Sequence, residues 1–208
     1  MKKITRTPSP PSCLGSQPSG QEWGVFAQTN GACHQKVGES LISEQHFLCC
    51  YCESAVPSTQ DGHIEHMKPR STYPDAKYEY SNLAYSCNTK EHCGHHKSNN
   101  YDAAKFTDPH SSTYDSKIFM YLSNGKVSPN GGNSQYMIKL LNLRDDFKLC
   151  GRRKTHWITL DNILKGFPNK AEGYRFIEDS YLKPENGKLK PHYSVTCAFI
   201  GRREEKPL

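Results

Sequence analysis

Two pairs of cysteines, separated by a polar segment that contains histidines, constrain the fold of this 208-residue chain more than any other feature. Cys49 and Cys52 form a CxxC pair, in which one tight turn presents both thiolates to a single zinc ion. Cys87 and Cys93 form a second pair with five residues between them, so the loop between them has to bulge. The four cysteines predict a tetrahedral structural zinc site, and metal binding would then supply much of the folding free energy of residues 47–100.

Two neighbouring residues leave alternatives open around this predicted zinc site. Cys50 is out of register with the CxxC turn and is expected to be a bystander. His92 precedes Cys93 directly and can replace it as the fourth ligand. The competing interpretation is that the four cysteines are unrelated reduced thiols.

The remaining cysteines are interpreted from the expected location of the protein. The opening MKKITRTPSPPS has no apolar core that would make it a secretory signal, and no run of about 18 apolar residues occurs. We therefore expect a cytoplasmic protein, in which thiols stay reduced and cysteines bind metals rather than form disulfides. Ordinary thiols are expected at the isolated cysteines, which are Cys13, Cys33, Cys150 and Cys197.

Composition and charge narrow the class of protein only moderately. Lys and Arg number 27 against 21 acidic residues, which gives a net charge of +6. A basic excess of this size fits a polyanionic partner such as nucleic acid, although it fits a merely soluble surface equally well. The mean hydropathy of −0.80 is low, but the aromatic content of 11% is too high for a disordered chain.

The segment between and after the cysteine pairs predicts a strand, a long loop, a second strand and a helix. GHIEH at 62–66 is the first strand, NLAYSC at 82–87 is the second, and the helix begins near Cys93. The predicted fold class is therefore α+β, with a zinc-clipped ββα core embedded in mainly helical flanking segments. Residues 23–105 are expected to form this core.

The flanking regions are predicted to be an N-terminal arm and a C-terminal extension. Residues 1–22 are rich in Pro, Ser and Gly and indicate an extended arm. Residues 106–208 are expected to form an α/β extension with at least two helices, and to be a partner-docking region. Within it, an Asn-Gly turn at 124–125 predicts a β-hairpin that places Ile118, Met120 and Leu122 on one face. The RRK at 152–154 is predicted to be exposed, and the C-terminal end is predicted to be a strand or a helix. Before the first cysteine pair, a short helix is predicted around Val37 and Leu41.

The predicted core contains the residue types that phosphodiester hydrolysis requires. A neutral imidazole such as that of His66 is suited to deprotonate water near neutral pH. The carboxylate of Glu65 is suited to bind Mg²⁺ or Mn²⁺, which neutralises charge on the scissile phosphate. Asn82 can bridge side chain and backbone, and so hold the loop that carries the base.

The motifs CCYCE, IEHMKP, NLAYSC and CGHHK, in this order, resemble those of the zinc-clipped HNH (ββα-metal) endonucleases. Over residues 1–155 the chain is also similar to the PtuB group, the nuclease subunits of the Septu anti-phage defence system and their retron-associated relatives. This resemblance implies that His66 is the general base, Glu65 the first ligand of the catalytic metal, and Asn82 the middle residue of the motif. It also implies a cytoplasmic complex with a large ABC-type ATPase (PtuA-like) that acts on phage DNA.

The chain departs from the family pattern after the last zinc cysteine. The family has Asn or His as a metal ligand at the position that Gly94 occupies here. His95 lies one residue further along the helix and His96 two, and we take His95 as the preferred second ligand, with His96 in reserve. His63 shares the strand face of Glu65 and can contact metal or phosphate, although an ordinary strand histidine is the simpler interpretation.

Three functions remain open at this stage. The first is a metal-dependent DNA endonuclease, the second a zinc-stabilised binding module with weak or no catalysis, and the third an HNH nuclease that cleaves RNA or tRNA. The chain lacks the Gly-x-x-x-x-Gly-Lys-Ser/Thr loop of an ATPase. Basic residues that can grip a phosphate backbone, or can simply be solvated surface charges, are Lys68, Arg70, Lys97, Lys105, Arg152, Arg153 and Lys154.

Overall fold

The computed structural model describes residues 1–7, 9–15 and 20–202, and within these residues the chain is a mixed α+β protein. Helices surround two small antiparallel hairpins that do not share a sheet. No helix among the described residues is long and apolar enough to cross a membrane. The elements are α1 (Trp23–Thr29), α2 (Gly31–Glu44), β1 (Gly62–His66), β2 (Leu83–Cys87), α3 (Cys93–Lys97), β3 (Phe119–Tyr121), β4 (Val127–Pro129), α4 (Ser134–Leu140), α5 (Phe147–Lys165), α6 (Lys170–Tyr181) and α7 (Tyr193–Gly201).

The predicted order of strand, loop, strand and helix is present between residues 62 and 97. Strands β1 and β2 pair in antiparallel register, from Gly62 opposite Cys87 to His66 opposite Leu83. Helix α3 follows directly and contacts β2. All five residues of β2 are buried, because α2 covers the strand on one side. A short hairpin is marginal alone, so this cover and the cysteine cluster described below stabilise it.

The N-terminal residues pack onto the core. Met1, Ile4 and Leu14 are buried, and the Ile4 amide donates to the Pro109 carbonyl at 3.0 Å. The Arg6 guanidinium pairs with Glu44 at the end of α2. The predicted extended arm thus contributes apolar side chains to the interior, and its residues 8 and 16–19, like 203–208 of the C-terminal extension, lie outside the described residues.

The hairpin around the Asn-Gly turn is present, but its buried face differs from the one that Ile118, Met120 and Leu122 share. Phe119 and Tyr121 of β3 point into the core, whereas Met120 is 45% exposed. The alternation of a strand places neighbouring residues on opposite faces, and the aromatic face is the one that meets α7. Aromatic burial therefore selects the face that this hairpin presents to the core.

Residues 134–201 contain the last four helices, α4 to α7. For the last of these, the sequence left strand and helix open, and the structure shows a helix. Asp146 caps α5 by accepting from the Leu149 amide at 2.6 Å, and Asn169 caps α6 in the same way. The prediction of an exposed RRK was wrong for Arg153, which is 1% exposed and donates to the Leu143 carbonyl. On an α-helix its neighbours point in other directions, so Arg152 and Lys154 remain exposed while Arg153 turns inward.

The prediction that Cys13 and Cys33 are ordinary thiols was also wrong, because they form a disulfide. Cys33 is buried on α2, and the short helical turn Ser12–Leu14 carries Cys13 against it. The two cysteines lie 20 positions apart in the sequence, and the segment between them includes α1. Their proximity arises from the packing of the N-terminal residues, which no spacing in the sequence reveals.

Candidate metal centre and active site

The four cysteines singled out by spacing converge on one point. The sulfur atoms of Cys49, Cys52, Cys87 and Cys93 lie within 4.8 Å of one another, and all four residues are buried. The wide gap of the second pair is absorbed in a turn, and Cys93 adopts a left-handed φ of 63° while its amide donates to the Leu141 carbonyl at 2.9 Å. The cluster can therefore hold a metal ion such as zinc.

The electrostatics of the cluster fit a divalent cation. Burial raises the pKa of Cys49, but hydrogen bonds from the surrounding thiols outweigh it and hold that pKa well below its usual range. Hydrogen bonding to Cys49 raises the pKa of Cys52, and burial raises that of Cys93. The Cys49 thiolate thus opposes ionisation of Cys52 and Cys93, and a bound cation would favour the thiolate forms of both.

Two residues that the sequence left open lie beside this cluster and outside it. The backbone amide of Cys50 donates to the Tyr85 carbonyl at 3.0 Å, and its sulfur is not part of the group. His92 is completely buried, with Nδ1 at 3.0 Å from the Cys93 sulfur. Its Nε2 faces Arg152 at 3.3 Å on α5. His92 therefore connects the cluster to the C-terminal helices.

An open cleft of about 270 Å³ lies along β1 and the start of α3. His63, Glu65 and His66 of β1 line it together with His95 of α3 and Arg70 of the following loop. The short hairpin and helix α3 are brought together at the cysteine cluster, since Cys87 ends β2 and Cys93 begins α3. The cleft is thus built on the same elements as the candidate metal centre.

The ring of His66 is held in one orientation. Its Nε2 lies 3.0 Å from the Lys77 carbonyl, which can only accept, so Nε2 carries the proton and Nδ1 has the free lone pair. Trp23 of α1 meets the ring edge-on, with ring centroids 4.5 Å apart. Burial, with the nearby charge of Arg70, lowers the pKa of His66 to about 4. The imidazole is therefore neutral at neutral pH.

Asn82 ties together the two loops on which this orientation depends. Its side-chain oxygen accepts from the Lys68 amide at 2.7 Å, and its side-chain nitrogen donates to the carbonyls of Lys68 and Ala76. Ala76 belongs to the helical turn Pro74–Tyr78, which also supplies the Lys77 carbonyl beneath His66. Asn82 thus positions the acceptor that fixes His66.

Glu65 presents its two carboxylate oxygens to different surroundings. Oε1 accepts from the Lys97 ammonium at 2.9 Å and from the Tyr51 hydroxyl at 3.2 Å. Oε2 lies 3.6 Å from Nε2 of His63. Burial raises the pKa of Glu65, but His63 and Lys97 outweigh it, so the net pKa is lowered and the carboxylate stays ionised. Oε1 is therefore fixed internally, and Oε2 remains for a cation.

The absence of a side chain at Gly94 is part of the cleft. A Cβ atom there would lie 2.6 Å from Oε2 of Glu65 and 2.7 Å from Nε2 of His63. The His63 ring also stacks against His95, with ring centroids 4.1 Å apart. The structure therefore brings together His63, Glu65 and His95, around the position where the sequence lacks a side chain.

The other candidates on α3 lie differently. Nδ1 of His96 faces the Leu140 carbonyl at 3.1 Å, and His96 is not part of the cleft lining. Lys97 is 1% exposed and donates to the His66 carbonyl as well as to Glu65, so it is an internal residue rather than a surface charge. Sequence reasoning missed this role, although the three-residue spacing from Gly94 to Lys97 places both on one helix face.

The remaining basic candidates are distributed along the surface. Arg70 is exposed on the cleft, and Lys68 is exposed nearby in the same loop. Lys105 is paired with Asp102 at 2.7 Å. Of these three residues, only Arg70 is both exposed and part of the lining of the cleft.

A larger concavity lies elsewhere, between the cysteine cluster and α5. It measures about 1140 Å³, and Cys87 lies at its edge. Lys148 and Arg152 line it together with Phe147, which is 87% exposed. Its lining includes the carboxylate of Asp61 and the rings of His156 and His192, but among the described residues no contact joins that carboxylate to either ring as Glu65 and His63 are joined in the smaller cleft.

Comparison with known proteins adds no family to these observations. No protein-family model matches the chain, and no curated protein matches it significantly.

Proposed function

We propose that this chain is a metal-dependent endonuclease of the HNH class that hydrolyses phosphodiester bonds. The observation that carries the proposal is the adjacency of His66 and Glu65 in one open cleft. His66 has one ring nitrogen committed to the Lys77 carbonyl, and Glu65 has one oxygen committed to Lys97. Each residue is left with one free functional atom, which is the arrangement that a base and a metal ligand require.

Zinc in the cysteine cluster would have a structural role. All four sulfur atoms are buried, so a bound ion would have no open coordination position for substrate. The cluster clips the ends of β2 and α3 and thereby sets the distance between Glu65 on β1 and His95 on α3. A second divalent cation, Mg²⁺ or Mn²⁺, would neutralise charge on the scissile phosphate and on the leaving oxygen.

The residues of the chain account for the remaining steps. Nδ1 of His66 takes a proton from a water molecule, whose oxygen forms the new bond to phosphorus as the bond to the 3′-oxygen breaks. The departing oxygen is protonated from solvent. Nε2 donates to the Lys77 carbonyl throughout, which stabilises the imidazolium that forms. Arg70, exposed on the cleft, attracts the phosphate backbone.

The target that we propose is phage DNA, and the partner an ABC-type ATPase of the PtuA kind. Hydrolysis of this type needs no 2′-hydroxyl, which favours DNA over RNA. The docking surface that we propose is the groove beside α5, where Phe147 is 87% exposed next to Lys148 and Arg152. Exposed aromatic and arginine side chains are enriched at the centres of protein interfaces.

The alternative function is a zinc-stabilised module that binds nucleic acid or protein without cleaving it. Nicking of a supercoiled plasmid by the purified chain, alone and with an ABC-type ATPase of the PtuA kind, decides between the two. We expect nicking with Mg²⁺ or Mn²⁺ and none after the free cation is removed by EDTA. His66→Ala should bind the same DNA without nicking it. Binding without nicking by the parent chain would support the module, and cleavage of RNA alone would change the substrate class.

A further inference from the structure

We propose that His63 is a ligand of the catalytic cation, together with Glu65 and His95, and that this set of two imidazoles and one carboxylate prefers a transition metal to Mg²⁺. The inference rests on the proposed nuclease function, because it concerns the same cleft. It assigns a residue that lies outside the histidine and carboxylate positions by which the class is recognised. It also explains how the cleft can work with glycine at position 94.

The first support is the space that Gly94 leaves. The position where its Cβ would stand is 2.7 Å from Nε2 of His63 and 2.6 Å from Oε2 of Glu65. Any larger residue would displace one or both atoms. The His63 ring therefore lies where a side chain on α3 would otherwise reach the cleft, and it supplies a nitrogen at that point.

The second support is the distance between the two free atoms. Nε2 of His63 and Oε2 of Glu65 are 3.6 Å apart. Two ligand atoms bound to one ion at about 2.1 Å lie roughly 3.0 to 3.4 Å apart. A movement of a few tenths of an ångström therefore converts this pair into two ligands. His63 and Glu65 share one face of β1, because they are two residues apart on a strand.

The third support is that no structural hydrogen bond explains the His63 ring. Its Nδ1 is inaccessible and, among the described residues, has no hydrogen-bond partner. Its Nε2 has Glu65 as its polar neighbour, and the ring stacks against His95 at 4.1 Å. A ligand role orients the ring through Nε2 instead.

The composition of the set determines the kind of cation. Mg²⁺ prefers oxygen ligands in an octahedron, whereas imidazole nitrogen suits first-row transition metals. Two nitrogens and one carboxylate oxygen therefore favour Mn²⁺ over Mg²⁺. Mn²⁺ is also a useful probe, because it is a weak competitor for the thiolates of the cysteine cluster and leaves a zinc ion there in place.

The test measures Mn²⁺ binding directly on the full chain loaded with zinc. Free Mn²⁺ is followed by its electron paramagnetic resonance signal during titration of the parent, of His63→Phe and of His96→Ala. Phenylalanine keeps the ring that stacks on His95 but has no nitrogen. We expect His63→Phe to weaken Mn²⁺ binding at least about tenfold, with zinc content and melting temperature unchanged, and His96→Ala to bind as the parent does. Competition with Mg²⁺ should require at least about tenfold more Mg²⁺ than Mn²⁺.

Pulsed electron paramagnetic resonance of Mn²⁺ on the parent chain decides the point even if His63→Phe does not fold. We expect two directly bound imidazole nitrogens, and one in His95→Ala. Parent-like Mn²⁺ affinity in His63→Phe, a single bound nitrogen in the parent, or equal affinity for Mg²⁺ and Mn²⁺ would each overturn the inference. In that case the His63–Glu65 contact is structural only.

Failure of the inference and failure of the proposed function give different results. If the parent and His63→Phe nick plasmid DNA equally at limiting Mn²⁺, the inference fails while the nuclease function stands. If Mn²⁺ binds through His63 but no nucleic acid is cleaved under any condition, the metal site stands and the nuclease function fails.

Discussion

Trp23 of α1 meets the ring of His66 edge-on, with centroids 4.5 Å apart. On its other side the ring is fixed by the hydrogen bond from Nε2 to the Lys77 carbonyl. A residue from the N-terminal helix and one from the loop after β1 thus jointly orient the proposed base. The burial that results also lowers its pKa to about 4, so the ring is neutral over the whole physiological range.

Loss of the base should abolish cleavage while leaving the fold intact. We expect His66→Ala to reduce the rate of plasmid nicking by about 10²- to 10⁴-fold, the typical contribution of a general base. Zinc content should not change, because His66 is not a member of the cysteine cluster. The measurement is the initial nicking rate at saturating metal. A variant that nicks at the parent rate would remove His66 from the mechanism.

Zinc should be stoichiometric and structural. We expect about one zinc ion per chain by elemental analysis, lost in Cys87→Ser, with residues 47–100 becoming sensitive to limited proteolysis. Cys50→Ser is the matched control, since Cys50 is buried beside the cluster but is not part of it. Zinc retained in Cys87→Ser and lost in Cys50→Ser would mean that the ligand set is wrong.

The two neighbouring histidines on α3 should differ in their metal requirement. His95 lines the cleft, whereas Nδ1 of His96 faces the Leu140 carbonyl. We expect His95→Ala to need about tenfold or more metal for half-maximal nicking, and His96→Ala to need the parent concentration. Titration of both variants with Mn²⁺ measures this. A defect confined to His96→Ala would show that α3 is rotated by one residue from the position described.

Stability should decrease below pH 6.5 because two histidines in the C-terminal half are held neutral. Burial, with the charge of Arg153, lowers the pKa of His192 to about 3, and burial lowers that of His156 to about 4, while Glu53 opposes both shifts. The unfolded chain then binds protons that the folded chain does not, so stability is complete above pH 6.5 and falls as the pH drops toward 3.

For the deeply buried His192, each pH unit in this window should cost about 1.4 kcal/mol. Urea unfolding between pH 7 and pH 4 measures the slope, and His192→Gln should reduce it. An unchanged slope in His192→Gln would contradict the assignment to this residue.

The disulfide between Cys13 and Cys33 should stabilise the N-terminal packing. Closing a loop of this size contributes about 3 kcal/mol in the chain-entropy description. We therefore expect Cys33→Ser to lower the melting temperature measurably, and the phosphine reductant TCEP to lower that of the parent but not that of the variant. Cys197→Ser is the control, because Cys197 is an exposed free cysteine. Equal melting temperatures with and without reductant would mean that the bond does not contribute.

The sequence predicted those features whose physical cause is local. The residue pattern of 62–97 predicted β1, β2 and the start of α3 to within about a residue. Tetrahedral thiolate geometry allowed four cysteines at two spacings to be grouped correctly. Glu65 and His66 could be singled out because they are adjacent in the sequence, whereas their shared position on one cleft is shown by the structure.

Only the tertiary structure decided features that join distant segments. The burial of Arg153, the disulfide between Cys13 and Cys33, and the edge-on contact of Trp23 with His66 all depend on which helix packs where. The same is true of the space at Gly94, which matters because β1 runs beside α3. Side-chain periodicity specifies the face of an element that is buried, but it does not specify the residue that this face meets. That choice is made by the packing of the whole chain, and it also decides which side chains line the cleft.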